Sequence, residues 1–137
     1  MGSNSSKGWG YTVTNWGVDK VRNRMIHDNP NHNIYLDKMY WNYKAVGSHR
    51  FIELYFKCRN CSFSQYVRMD KTSDGCKNID CFSDSFNEKG WWWWDYTPKY
   101  TVTFEDCIRL FYNAPSGYNL ASNNCSHFAN YIWKRIN

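Results

Sequence analysis

The chain has 137 residues, a net charge of +5 and an aromatic content of 20%, including eight Trp and eleven Tyr. That length suits one domain with a substantial core and is short for two. With 42% hydrophobic residues, disorder through low hydrophobicity is excluded over most of the chain, and no apolar run approaches the roughly 18–20 residues of a membrane-spanning helix.

Residues 1–10 are rich in Ser and Gly and read as a flexible amino-terminal stretch ahead of a single domain over 11–137. Gly2 and Ser6 fit the N-myristoylation pattern, which would give marginal, peripheral membrane binding; Met-Gly-Ser is equally a remnant of cloning. No basic segment followed by an apolar one opens the chain, so the expectation is an intracellular protein with reduced thiols.

A helix is expected from Asn15, with Val18, Val21 and Met25 on one face and Asp28-Asn29-Pro30-Asn31 ending it. His27 and His32 then fall in a polar, solvated loop. Residues 34–46 are aromatic-rich and ambiguous between strand and helix, and Gly47-Ser48 is a break. Residues 49–57 read as a strand, Cys58-Arg59-Asn60-Cys61 as a tight turn, and residues 62–70 as the returning strand. Pairing 49 with 70 sets Ile52 opposite Val67, Leu54 opposite Gln65 and Phe56 opposite Phe63 on one face. His49, Phe51, Glu53 and Tyr55 then face Asp70, Arg68, Tyr66 and Ser64 on the other.

Residues 72–90 read as a loop holding Cys76 and Cys81, and Trp91–Tyr96 as a third strand. Alternation along a strand sends Trp91 to Trp94 to both faces, so two of them are exposed or lie under a helix. Thr103 and Asp106 resemble a capping box, followed by Phe104, Cys107, Ile108 and Phe111 at helical spacing. Pro115-Ser116-Gly117 ends that helix, and 118–121 form a short extended piece. The last helix runs from Asn124 to Ile136, with Phe128, Ala129, Ile132, Trp133 and Ile136 on its apolar stripe. The fold class is α+β: a small antiparallel sheet packed against a carboxy-terminal helix bearing Cys125.

Cys125 shares that stripe at the first turn. With Asn123 as N-cap, its thiol sits near the positive end of the helix dipole, which favours thiolate. The alternative is a small buried hydrophobe. His49 opens a strand and can aim its ring at a helix start packed on the sheet, giving a Cys–His pair. His127 is only two residues from Cys125, does not face it on a helix, and reads as outward-pointing.

Cys58, Cys61, Cys76 and Cys81 form a C-x2-C-x14-C-x4-C pattern, compatible with a four-thiolate structural zinc site. Free thiols and disulfides are the other readings, and no cofactor is required. Cys107 reads as core. The basic balance, spread along the chain, suits a solvated basic face or weak contact with RNA.

The segment Gly47-Ser48-His49-Arg50-Phe51-Ile52-Glu53-Leu54-Tyr55, with Asn124-Cys125-Ser126-His127-Phe128-Ala129, resembles the H-box and NC motifs of the lecithin:retinol acyltransferase family. That family is a permuted relative of the NlpC-type thiol peptidases. A compact, anchor-free chain is most similar to the picornaviral 2A proteins of the H-box/NC type, as in parechoviruses and kobuviruses. The resemblance implies a permuted NlpC-like, papain-type fold with Cys125 as nucleophile and His49 as base. In the cellular acyltransferases a second His lies across the hairpin from the first. Here that place falls to Asp70, with Gln65 as fallback, and the expectation is weak or absent acyl-transfer or thiol hydrolase activity. The resemblance also implies a host-directed or replication role, with host proteins or a lipid acyl group as partner. The alternatives are a non-enzymatic module binding RNA or host protein, and a cellular, myristoylated phospholipase/acyltransferase.

Overall fold

A computed structural model describes residues 17–27, 32–44, 49–83 and 92–137. The amino-terminal stretch with the Gly2/Ser6 pattern, the start expected for the first helix, the Gly47-Ser48 break and Trp91 lie outside those residues.

Among the described residues the chain is α+β, with helices α1 (Gly17–Arg24), α2 (Phe104–Asn113) and α3 (Cys125–Ile136). The strands are β1 (Ile34–Lys44), β2 (His49–Cys58), β3 (Ser64–Lys71), β4 (Lys77–Phe82) and β5 (Trp92–Tyr96). They form one antiparallel sheet in the order β4-β3-β2-β1-β5. The ambiguous 34–46 segment is thus a strand. Its run of Tyr, Trp and Met suits a pleated surface between two neighbours.

Strand β4 lies inside the stretch expected to be loop. Its alternation is short, Asn78-Ile79-Asp80-Cys81, and polar on one face, yet all four residues are buried. The β2–β3 hairpin pairs Ile52 with Met69, Leu54 with Val67 and Phe56 with Gln65. The expected register is therefore shifted by two residues. Because the pleat has a period of two, every side chain stays on its expected face.

One face of the sheet carries the main core. Met39, Ile52, Leu54, Phe56, Val67, Met69 and Ile79 pack with Phe104, Ile108 and Phe111 of α2 and Phe128, Ala129 and Ile132 of α3. Val18, Val21 and Met25, on and just after α1, join the same cluster. Each Val, Leu, Ile, Phe or Met among them contributes about 1.5–3 kcal/mol when fully buried. The opposite face, read as polar and aromatic, is buried in its middle as well. Glu53, Arg68 and Asp80 lie side by side across β2, β3 and β4, none more than 1% exposed, with Arg68 and Asp80 in an ion pair. Tyr55 and Tyr66 stack across the same hairpin at 4.4 Å.

Helix α2 begins in the expected capping box. Thr103 Oγ1 accepts from the Asp106 N–H at 3.1 Å, and the Thr103 N–H donates to Asp106 Oδ2 at 2.9 Å. At its other end Lys77 Nζ donates to the carbonyls of Phe111, Tyr112 and Ala114 at 2.6–3.0 Å. A cation is favoured there by the orphan carbonyls and the helix dipole. The loop from α2 to α3 is held to the β3–β4 turn where Gly117 N–H donates to Gly75 O at 3.1 Å. A Cβ at Gly75, whose φ is +86°, would stand 2.9 Å from the Gly117 Cα, so both the turn and the close approach require glycine here.

Candidate active site and a second His/Cys cluster

Helix α3 is capped by Asn124, one residue later than expected. Asn124 Oδ1 accepts from the Ser126 and His127 N–H groups at 2.9 and 3.1 Å, and His127 Nδ1 accepts in return from the Asn124 N–H at 3.3 Å. Cys125 is therefore the first helical residue, and the exposed His127 serves the cap. Asn123, the expected cap, instead braces the loop. Its Oδ1 accepts from Lys71 Nζ, its Nδ2 donates to Ser116 O at 2.9 Å, and its backbone pairs with Asn119.

Strand β3 supplies the rest of the positioning. Adjacent residues point to opposite faces of a strand, so Lys71 reaches Asn123 just ahead of α3 while Asp70 meets His49. The His49 Nε2 to Asp70 Oδ2 distance is 3.1 Å, with both side chains buried. Asp70 Oδ1 accepts from Asn78 Nδ2 at 3.1 Å, so both carboxylate oxygens are engaged. In the observed register Asp70 is a diagonal rather than a direct neighbour of His49, still within reach of an imidazole.

The imidazole is also hydrogen-bonded to the Cys125 thiol. Burial of Cys125 raises its pKa, but the hydrogen bond with His49, the Arg50 backbone N–H and the nearby charges of His49 and Arg50 outweigh it, and the net shift is downward. For His49, burial lowers the pKa, while hydrogen bonds with Asp70 and Cys125 and their negative charges raise it, and the net shift is upward. The two shifts together favour a thiolate–imidazolium pair. Cys125 is 9% exposed.

Cys125, His49 and Asp70, each singled out in the sequence, thus meet. Asn78 and the Arg50 amide were missed. The signal available for Asn78 was the short alternation Asn78-Ile79-Asp80-Cys81, the pattern of a strand; a backbone amide has none in sequence.

The cysteines expected to form one four-thiolate set do not assemble as one. Cys58 and Cys61 lie with His27 and His32, all four ligand atoms within 4.8 Å of one another, a group that could hold a metal ion. Cys81 is on β4, where its thiol donates to Gln65 Oε1 at 3.1 Å. Cys76 is in the β3–β4 turn, where its N–H donates to Asp74 Oδ1 at 3.0 Å. The reason is topological: Cys58 ends β2 beside Ile34, whereas Cys76 follows the opposite end of β3. His27 and His32 are correspondingly half-buried rather than solvated. Cys107 is core, as expected.

On β5, Trp94 is 52% exposed and packs edge-on against Trp41 at 5.1 Å. No family, curated protein or solved structure matches this chain.

Proposed function

We propose that this chain is a protein of the H-box/NC type, with a permuted NlpC-like fold, whose Cys125–His49–Asp70 group carries out thiol-based acyl transfer or hydrolysis. A single observation carries the reading. One buried imidazole is hydrogen-bonded both to a carboxylate and to a thiol at a helix amino terminus.

In this reading His49 takes the thiol proton and the Cys125 sulfur attacks the carbonyl carbon of an ester or peptide-like amide. The imidazolium then gives its proton to the departing alcohol or amine, leaving an acyl-cysteine. An incoming acceptor or water, deprotonated by His49, attacks that acyl group and returns the thiol. Asp70 holds the ring and stabilises its cationic form, the role of the third group in other triads. Asn78, on the far carboxylate oxygen, keeps Asp70 in place. The N–H groups of Ser126 and His127 are occupied by the cap, so at those positions the helix dipole rather than a free amide acts on the oxyanion. With Cys125 only 9% exposed, turnover is slow. The resemblance to the viral 2A branch assigns the protein a host-directed or replication role.

The test is acylation by an activated ester such as p-nitrophenyl acetate, read by intact mass, beside alkylation of Cys125 across pH. The expected result is one acetyl group on Cys125, lost in Cys125→Ala and slowed in His49→Ala, and alkylation that persists below pH 7. Alkylation with the profile of an ordinary thiol, about pKa 8.5, that His49→Ala leaves unchanged would overturn the reading.

A further inference from the structure

We propose that His27, His32, Cys58 and Cys61 form a structural zinc site that ties the segment after α1 and the entry to β1 to the β2–β3 hairpin. The site is independent of the Cys125 reading. It lies at the opposite end of β2 from His49, about 30 Å along the strand at 3.3 Å per residue.

The backbone explains why these residues meet. The β1–β2 ladder pairs Ile34 with Cys58. The residues preceding Ile34 therefore continue alongside the turn that follows Cys58. Arg59 N–H donates to Asn33 O at 3.1 Å, and Asn33 N–H donates to Asn60 Oδ1 at 3.2 Å. These bonds set His32 against the turn. His27 arrives from the other side, two residues after Met25, which is anchored in the core. Its ring packs 5.1 Å from Phe63.

The four donors gather around one point, and one pair stands at the separation a tetrahedral ion sets. Zn–N and Zn–S bonds of about 2.0 and 2.3 Å imply N···N near 3.3 Å, and N···S and S···S near 3.6–3.8 Å. His27 Nε2 and His32 Nδ1 are 3.3 Å apart, and all four donors fall within 4.8 Å. His27 Nε2 lies 2.9 Å from Cys61 Sγ, closer than the N···S value, so this pair opens by about 0.7 Å around an ion. A ring nitrogen has a single in-plane direction, holding either a proton or a lone pair, and cannot aim it at a second ring and a thiol together. A cation at the centre of the four donors satisfies all of them. Asn60 N–H donates to Cys58 Sγ at 3.3 Å, a contact that supports a thiolate ligand. Two thiolates and two neutral imidazoles neutralise Zn²⁺ and leave no open position, the arrangement of a structural site. In sequence the set reads H-x4-H then C-x2-C.

The experiment uses the full chain purified without added chelator. Elemental analysis is expected to find about one zinc per chain. Co²⁺ in its place is expected to give tetrahedral d–d bands with a thiolate charge-transfer band. Cys61→Ser and His27→Ala lose the metal, whereas Cys76→Ser and Cys81→Ser keep it, and chelation lowers the melting temperature of wild type. Should Cys61→Ser fail to fold, the cobalt spectrum of wild type and the metal content of the Cys76 and Cys81 variants still decide. Substoichiometric zinc with no tetrahedral cobalt spectrum would overturn the site. So would loss of metal in Cys76→Ser or Cys81→Ser, or a Cys58–Cys61 disulfide found by mass under non-reducing conditions.

Discussion

Burial alone makes a thiol inert. Cys81 is pushed up to about 11, chiefly by burial, with the charge of Arg24 opposing it. Cys107, deeper in the core, is raised further, by burial and then by the charge of Asp106. Cys125 is buried too, yet shifts the other way, because its neighbours are an imidazole, a backbone N–H and a guanidinium. The imidazole in turn depends on Asp70. Asp70→Asn keeps a hydrogen-bonding side chain and removes the charge, so the imidazolium loses its main partner. A hydrogen bond to a charged group contributes about 1.5–3 kcal/mol, so the alkylation rate of Cys125 at neutral pH is expected to fall about tenfold or more. The midpoint of the alkylation profile should move toward higher pH, which a purely structural role for Asp70 would not produce. Cys125, His49 and Asp70 were legible as residue types on a helix start and a hairpin. Their meeting was expected from a hairpin register that proves two residues off and from the resemblance, since the reach itself depends on which neighbours the strands take.

At the scale of elements, the starts of the last two helices are written in the sequence, α2 as it stands and α3 to within one residue, Asn123 having been expected where Asn124 caps. Thr103 with Asp106, and Asn124 ahead of the last apolar stripe, satisfy amide groups that no helix can satisfy internally. Asn124→Ala is expected to cost about 1 kcal/mol of stability, measured by urea unfolding. It should also change the alkylation profile of Cys125, since the same cap sets the first turn that carries the sulfur. The hairpin was legible in its faces and not in its register: a slip of two residues leaves the pattern of apolar and polar faces unchanged. Strand β4 does alternate, with Asn78 and Asp80 on the buried polar face and Ile79 and Cys81 on the apolar one, but the run is only four residues long and sits among Asp, Gly, Ser and Lys that read as loop. Polar residues read as loop until the partners that pair with them are known.

Among the described residues the sheet buries charged and polar groups in the middle of its second face, and these make stability depend on pH. His49 has a folded-state pKa raised above its ordinary value of about 6.5. Its contribution to stability is full below that ordinary value and is lost as pH rises through the higher, folded value. The stability gap between wild type and His49→Gln is therefore expected to be wider at pH 6 than at pH 9 in denaturant unfolding. An equal gap at both would mean that the imidazole stays neutral in the fold.

Composition and periodicity were enough to indicate the α+β class, the last two helices, the central hairpin and the residue types able to do thiol chemistry. These follow from local rules: capping, alternation and the 3.6-residue repeat each act over a few neighbours. Only the tertiary structure decided that Asn78 backs Asp70, that β5 joins β1 rather than β4, and that Cys58 and Cys61 meet His27 and His32 instead of Cys76 and Cys81. Those choices depend on strand order and on which strand ends lie side by side. The energy that sets them is spread over the whole core, and no short stretch of residues contains it.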